Sequence, residues 1–84
     1  MSQNEKLIKR FKTRPVDFTW DELIRLLNNF GYELHKKGKT GGSRRRFIHP
    51  VYAFITLHEP HPQKVLKRYQ IDQIIEILNE EELL

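Results

Sequence analysis

The chain has no cysteine among its 84 residues, which excludes disulfide bonds, thiolate metal ligands and a cysteine nucleophile. The absence also fits a reducing compartment. No apolar run approaches the roughly 20 residues of a membrane-spanning helix. Residues 1–14 are charged throughout and lack the apolar centre of a secretory signal. We therefore expect a cytoplasmic protein without a membrane segment, of a size that suits one small domain.

Positive charge is what the chain has in excess, and it is concentrated in one stretch. In the whole chain 15 lysines and arginines stand against 11 aspartates and glutamates, for a net charge of +4. Residues 36–46 contain no acidic side chain but hold two adjacent glycines and six cations: Lys36, Lys37, Lys39, Gly41, Gly42, Arg44, Arg45 and Arg46. Such a cluster repels itself unless a polyanion neutralises it, and nucleic-acid phosphates are the natural polyanion. The alternative is a solvated basic loop without a ligand.

Residues 1–18 predict a helical extension ahead of the main domain. Apolar side chains recur at helical spacing over residues 4–12, at Leu7, Ile8 and Phe11. Pro15 then breaks the pattern. We expect this extension either to pack against the domain or to be reserved for a partner.

Residues 20–30 predict a second helix. Thr19 and Glu22 have the spacing of a capping box, and Gly31 stands where a left-handed C-terminal cap is expected. Phe18, before the cap, can pack on Leu23 as a hydrophobic staple. The apolar face of this helix is predicted to consist of Trp20, Leu23, Ile24, Leu27 and Phe30.

Three strands and a last helix follow. The pattern of alternating side chains predicts strands over residues 32–37, 44–49 and 51–58. In the third strand we expect Tyr52, Phe54, Thr56 and His58 to share one face, opposite Ala53, Ile55 and Leu57. The prolines of residues 59–63 predict an extended loop, and helical spacing returns over residues 67–80, with Ile71, Ile74, Ile75 and Leu78 facing the core. The acidic tail, residues 80–84, is expected to fray because the helix dipole disfavours anions there.

This order of elements predicts a two-layer α+β domain. A three-stranded antiparallel sheet would carry helices on one face, with the extra N-terminal helix beside them. The other face, with the basic stretch at its edge, would be left for a ligand.

Several of these segments, in this order, resemble the HicA toxins of bacterial HicAB toxin–antitoxin modules. The similarity covers residues 19–79, and the pieces that carry it are residues 21–27, 30–34, Gly42, Ser43, Phe47, His49, Pro50, Leu66, Lys67 and residues 71–78. The resemblance implies a double-stranded-RNA-binding-like α-β-β-β-α fold, endoribonuclease activity on mRNA without a metal or other cofactor, and neutralisation by a cognate HicB-like antitoxin. It also implies that Gly42 and Ser43 form the loop before the site.

The chain departs from the family pattern at one position. In HicA toxins a histidine follows the Gly-Ser pair and carries the catalysis, whereas this chain has Arg44 there. Arginine keeps its charge and can stabilise a phosphorane, but it cannot act as a base. An active enzyme therefore needs another histidine, and the candidates are His58, His61 and His49. For each of them the alternative is an ordinary surface residue that caps a turn, and His35 is expected to be ordinary surface.

The sequence raises four alternatives. A non-catalytic RNA-binding or protein-interaction module of the same fold is the main alternative to the toxin. A metal held by His58, Glu59 and His61 is not favoured, because Pro60 prevents the helical ligand spacing of known zinc motifs. Tyr52 and Phe54 have the chemistry to stack on RNA bases, although aromatic residues on strands more often serve packing. A membrane-surface protein is disfavoured, because no predicted helix combines a basic face with a large apolar one.

Overall fold

The structure, a computed structural model, describes residues 3–35, 44–60 and 62–84. In chain order its elements are α1 (Gln3–Lys12), α2 (Trp20–Asn29), β1 (Glu33–His35), β2 (Arg44–Ile48), β3 (Ile55–His58) and α3 (Arg68–Glu80). The strands form one antiparallel sheet in the order β1-β2-β3. This arrangement confirms the predicted α+β fold class.

Helix α2 begins at the predicted residue, Trp20, and ends at Asn29, one residue before the predicted end. The Thr19 hydroxyl accepts a hydrogen bond from the Glu22 N–H at 3.2 Å, and the Glu22 carboxylate accepts one from the Thr19 N–H at 2.9 Å. This reciprocal pair is the predicted capping box, and it satisfies two of the N–H groups that a helix start leaves unpaired. Gly31 follows the helix with φ of +94°, a conformation that glycine adopts without steric cost.

The extension α1 packs against the domain. Phe11 is fully buried, and its ring centroid lies 4.9 Å from that of Phe18. Arg10 adds ion pairs to Asp17 at 2.7 Å and to Glu22 at 2.8 Å. Of the two roles that the sequence left open for this segment, the structure therefore shows the packed one.

The core lies between the helices and one face of the sheet. It contains the predicted apolar residues of α3 and, from α2, Trp20, Leu23 and Leu27 together with Leu26, which helical spacing had not assigned to the apolar face. Ile24 and Phe30 are partly buried and pack against it. From the sheet it takes Phe47, Ile55 and Leu57, and Leu34 packs against it. These four residues share one face because Leu34 pairs with Phe47, Phe47 pairs with Ile55, and alternate residues of a strand face the same side.

The third strand is shorter than predicted. Residues 50–52 form bends, residues 53–54 have no regular secondary structure, and β3 begins only at Ile55. The reason is the side chain of His49, whose Nδ1 accepts hydrogen bonds from the backbone N–H groups of Val51 at 2.9 Å and Tyr52 at 3.2 Å. These two donors are therefore engaged by a turn, and Tyr52 and Phe54 precede the strand instead of belonging to it.

The acidic tail is tied to the domain. Glu81 accepts a 2.6 Å hydrogen bond from the phenol of Tyr32, and the Leu83 N–H donates to the Leu78 carbonyl at 2.9 Å. The expected fraying at this end is therefore not observed. Across the part of the chain that the structure describes, no helix is long and apolar enough to cross a membrane.

Candidate nucleic-acid interface

The face of the sheet opposite the helices carries two arginines and two histidines. Strand alternation places Arg44 and Arg46 on this face, because Phe47 faces the core. The register sets Arg44 opposite His58 on β3, and it sets Arg46 between His35 on β1 and Thr56 on β3. Both arginines and both histidines are exposed. We call this surface, made of Arg44, Arg46, His35, Thr56 and His58, the open face.

Arg44 and His58 are direct cross-strand partners. Side chains in such a pair leave the sheet on the same side, with Cβ atoms about 5 Å apart. A phosphate bound by the permanently charged guanidinium of Arg44 therefore lies within reach of the His58 imidazole. Imidazole is the side chain whose ordinary pKa suits proton transfer near neutrality.

Gln70 on α3 fixes the backbone at His58. Its side chain is 3% exposed, its Nε2 donates to the His58 carbonyl at 2.9 Å, and its Oε1 accepts from the Lys67 N–H at 3.0 Å. One buried amide thus caps the start of α3 and anchors the end of β3. Sequence reasoning missed this residue. The available signal was a polar side chain three positions after the helix cap, the acceptor position of a capping box.

Arg45 lies on the other side of the sheet from Arg44 and Arg46. Its Nε is 3.2 Å from a carboxylate oxygen of Glu59, which also pairs with Lys64 at 3.2 Å. The Glu59 side chain is only 11% exposed, so this ion pair is partly shielded from solvent. The sequence grouped Arg44, Arg45 and Arg46 as one RNA-binding run, but strand alternation separates them by face.

His49 is held by backbone groups at both ring nitrogens. Nδ1 accepts hydrogen bonds from the Val51 and Tyr52 N–H groups, so Nε2 carries the ring proton. Nε2 donates this proton in a 3.0 Å hydrogen bond to the Phe30 carbonyl. The ring also lies between Tyr32 and Tyr52, each with its centroid 4.7 Å away. Backbone groups thus engage both ring nitrogens of His49, which gives this residue a structural role in the turn before β3.

The aromatic residues after β2 differ in exposure. Tyr52 packs on His49, as expected of a structural aromatic residue. Phe54 is 55% exposed, and the guanidinium carbon of Arg46 lies 4.4 Å from the centroid of its ring.

Six of the predicted site residues lie outside the described residues: Lys36, Lys37, Lys39, Gly42, Ser43 and His61. Gly41 of the basic stretch lies outside them as well. Within residues 3–35, 44–60 and 62–84 there is no group of three or more histidine, aspartate or glutamate side chains that could hold a metal ion.

The fold and the open face define a small α+β protein whose sheet exposes a cationic surface. A family model described as the HicA toxin of bacterial toxin–antitoxin matches residues 20–79, and the chain belongs to this family. This confirms the resemblance found in the sequence and identifies the chain as a toxin of the toxin–antitoxin type. Comparison with curated proteins gave no match, and comparison with solved structures gave none.

Proposed function

We propose that this toxin is a metal-independent endoribonuclease that cleaves mRNA, with Arg44 as the phosphate-binding group and His58 as a proton-transfer group. The cross-strand pairing of Arg44 with His58 carries the proposal. The family places its catalytic histidine at the position of Arg44, and the register sets a histidine directly opposite, on the neighbouring strand. The imidazole is thereby kept at the same end of the sheet, while Arg44 adds a permanent positive charge.

The proposed reaction is an attack by the ribose 2′-oxygen on the adjacent phosphorus. His58 removes the 2′-hydroxyl proton as the new P–O bond forms, and Arg44 stabilises the negative charge that develops on the phosphate oxygens. The bond to the 5′-oxygen of the next nucleotide then breaks, and that oxygen takes up a proton. The sequence names His61, three residues beyond His58, as a second proton-transfer group, and it is a candidate for the acid.

Cleavage of a long RNA in the presence of EDTA tests the proposal. Substitution His58→Ala should lower the rate at least about 100-fold, because positioned acid–base groups contribute roughly that much or more. Arg44→Gln should lower it by a similar factor. Arg45→Gln is the matched control, because it removes the same charge from the opposite side of the sheet, and it should retain cleavage when circular dichroism shows a folded protein. Equal losses in the Arg44 and Arg45 variants would contradict the assignment of faces.

A non-catalytic RNA-binding module is the second candidate, and the arginine at the family's catalytic position favours it. In that case the native protein leaves RNA intact at all concentrations but still retards it on a gel at low salt. Retardation should weaken as salt rises, since each neutralised phosphate releases counterions. Absence of both cleavage and retardation would overturn RNA handling altogether.

The partner of the proposed toxin is a cognate HicB-like antitoxin, and the membership in a toxin–antitoxin family supports it. An mRNA substrate also implies action in the cytoplasm. Expression of the chain alone should arrest growth, and co-expression with the product of an adjacent antitoxin reading frame should restore it. Continued arrest under co-expression would contradict this pairing.

A further inference from the structure

Phe54 combines three properties that packing does not explain. Its ring is 55% exposed, it lies in the segment that leads into β3, and its face is covered by the Arg46 guanidinium at 4.4 Å. Phe47, which lies on the core face of the neighbouring strand, is by contrast fully covered. The exposed ring is instead held in place by a cation that belongs to the open face.

On the side of Phe54 that faces Arg46 and Arg44, the neighbouring side chains are positively charged. Arg46 has His35 and Thr56 as its ladder partners, and Arg44 lies two residues away along β2, about 7 Å at the usual rise of a strand. Glu33 is the acidic residue among the described strand residues, and it pairs with Ile48 at the end of β2 that lies away from Arg44, the end where Phe54 leads into β3. The ring of Phe54 thus lies next to Arg46, which is itself two residues from Arg44 on β2.

An aromatic ring next to phosphate-binding cations has the chemistry of a base-stacking site. Proteins that bind single-stranded RNA stack unpaired bases on aromatic rings and on arginine planes, while basic side chains hold the backbone. In a duplex the faces of the bases are already stacked on their neighbours, so such a site recognises an unpaired base.

We propose that Phe54 and Arg46 form a stacking site for one unpaired RNA base, next to the phosphate held at Arg44. The inference rests on the proposed function, because it takes RNA as the ligand. It adds that the RNA is single-stranded at the site and that one base leaves its stack to reach Phe54.

Binding of short oligonucleotides by the full chain tests the site. The probes are a 12-nucleotide single-stranded RNA with one 2-aminopurine and the same strand in a perfect duplex. The variants are Phe54→Ala, Phe54→Leu, which keeps apolar bulk without a π-face, and Phe54→Trp, which keeps the π-face. Val51→Ala is the control, because Val51 is a neighbouring side chain that is 78% exposed.

The native protein and the Phe54→Trp variant should quench 2-aminopurine fluorescence as the base stacks. Phe54→Ala and Phe54→Leu should each weaken single-strand binding about 10-fold and abolish the quenching. Val51→Ala should change neither, and duplex affinity should be the same in all variants. Equal weakening of single-strand and duplex binding by Phe54→Ala would overturn the proposal.

The outcome for Phe54 is separable from the outcome for the proposed function. If Arg44→Gln lowers RNA affinity and Phe54→Ala leaves it unchanged, RNA handling stands and the stacking site is refuted, which leaves the exposed ring to a protein contact. If the native protein binds neither probe, the proposed function and the stacking site both fall.

Discussion

The phenol of Tyr32 donates a 2.6 Å hydrogen bond to the carboxylate of Glu81, and this bond joins the residue before β1 to the residue after α3. Tyr32 is fully buried. Burial first, and then the neighbouring Glu81 carboxylate, raise the pKa of the Tyr32 phenol well above its ordinary value. A buried hydroxyl needs a partner, and here the acidic tail supplies it.

Substitution Tyr32→Phe removes this bond and leaves the ring in place. We expect the free energy of unfolding to fall by about 2 kcal/mol, since hydrogen bonds to charged groups contribute roughly that amount. Urea denaturation at pH 7 measures the change. Glu81→Gln is the control, because it keeps an acceptor and removes only the charge, and it should cost less.

Because the pKa of Tyr32 is raised, Tyr32→Phe should also change how stability depends on pH in alkaline solution. Because the folded-state pKa lies above the unfolded one, the stabilisation is complete below about pH 10 and is lost as the pH rises further. The native protein should therefore lose stability above pH 10 more steeply than Tyr32→Phe. Parallel curves for the two proteins would contradict this assignment.

The pKa of Glu22 is shifted in the opposite direction, so Glu22 affects stability in acidic solution. Partial burial acts to raise its pKa, but hydrogen bonds from the Thr19 backbone and Arg10, together with the charge of Arg10, outweigh burial and hold the pKa of Glu22 below its ordinary value. This stabilisation is present at neutral pH and is lost as the pH falls below about 4. Glu22→Gln should be about 1 kcal/mol less stable at pH 7, and the difference should shrink by pH 3. A constant difference in urea midpoints across this range would refute the prediction.

Phe11 tests whether α1 is part of the cooperative fold. Phe11→Ala should lower the free energy of unfolding by about 3 to 5 kcal/mol, the range for deleting a buried aromatic side chain. Lys12→Ala, at an exposed position of the same helix, should change it by no more than about 0.5 kcal/mol. Thermal unfolding followed by circular dichroism compares the two, and equal melting temperatures would show that α1 unfolds independently.

Gly31 and His49 are predicted to be energetically coupled. A Cβ atom at Gly31 would lie 2.8 Å from Nε2 of His49, at a backbone φ of +94°. Gly31→Ala should therefore cost about 2 kcal/mol or more, partly from the left-handed backbone and partly from the clash. In a His49→Ala background only the backbone part should remain. A double-mutant cycle measures the coupling, and additive effects would contradict the close contact.

Gln70 is expected to act through the position of His58. Gln70→Leu keeps the volume but leaves the His58 carbonyl and the Lys67 N–H without this partner, at a cost of about 1 to 3 kcal/mol. If His58 is the proton-transfer group, the cleavage rate at saturating RNA should also fall while RNA affinity is retained. Gln70→Glu keeps an acceptor for the Lys67 N–H but removes the donor to the His58 carbonyl. Compared with Gln70→Leu, it should therefore recover part of the stability and a smaller part of the cleavage rate. A loss of affinity with an unchanged rate would contradict a positioning role.

Local patterns in the sequence were enough to predict the helices and the fold class. The capping box at Thr19 and Glu22, the left-handed Gly31 and the periodic apolar residues of α2 and α3 depend on neighbours within a few positions. Each could therefore be predicted before any tertiary contact was known. The family was also recognisable from the order of these segments, and the match of the family model to residues 20–79 confirms it.

The site depended on contacts between distant residues, which no local pattern contains. The register of β2 against β3 decided that His58 lies opposite Arg44, and that Arg45 turns to Glu59 on the other side of the sheet. The hydrogen bond of His49 to the Phe30 carbonyl holds its ring in place, and its hydrogen bonds from Val51 and Tyr52 form the turn that shortens β3. The sequence by itself determined which residues are apolar, capped or charged. Tertiary structure decided which of them meet, because pairing across strands depends on the whole core closing at once.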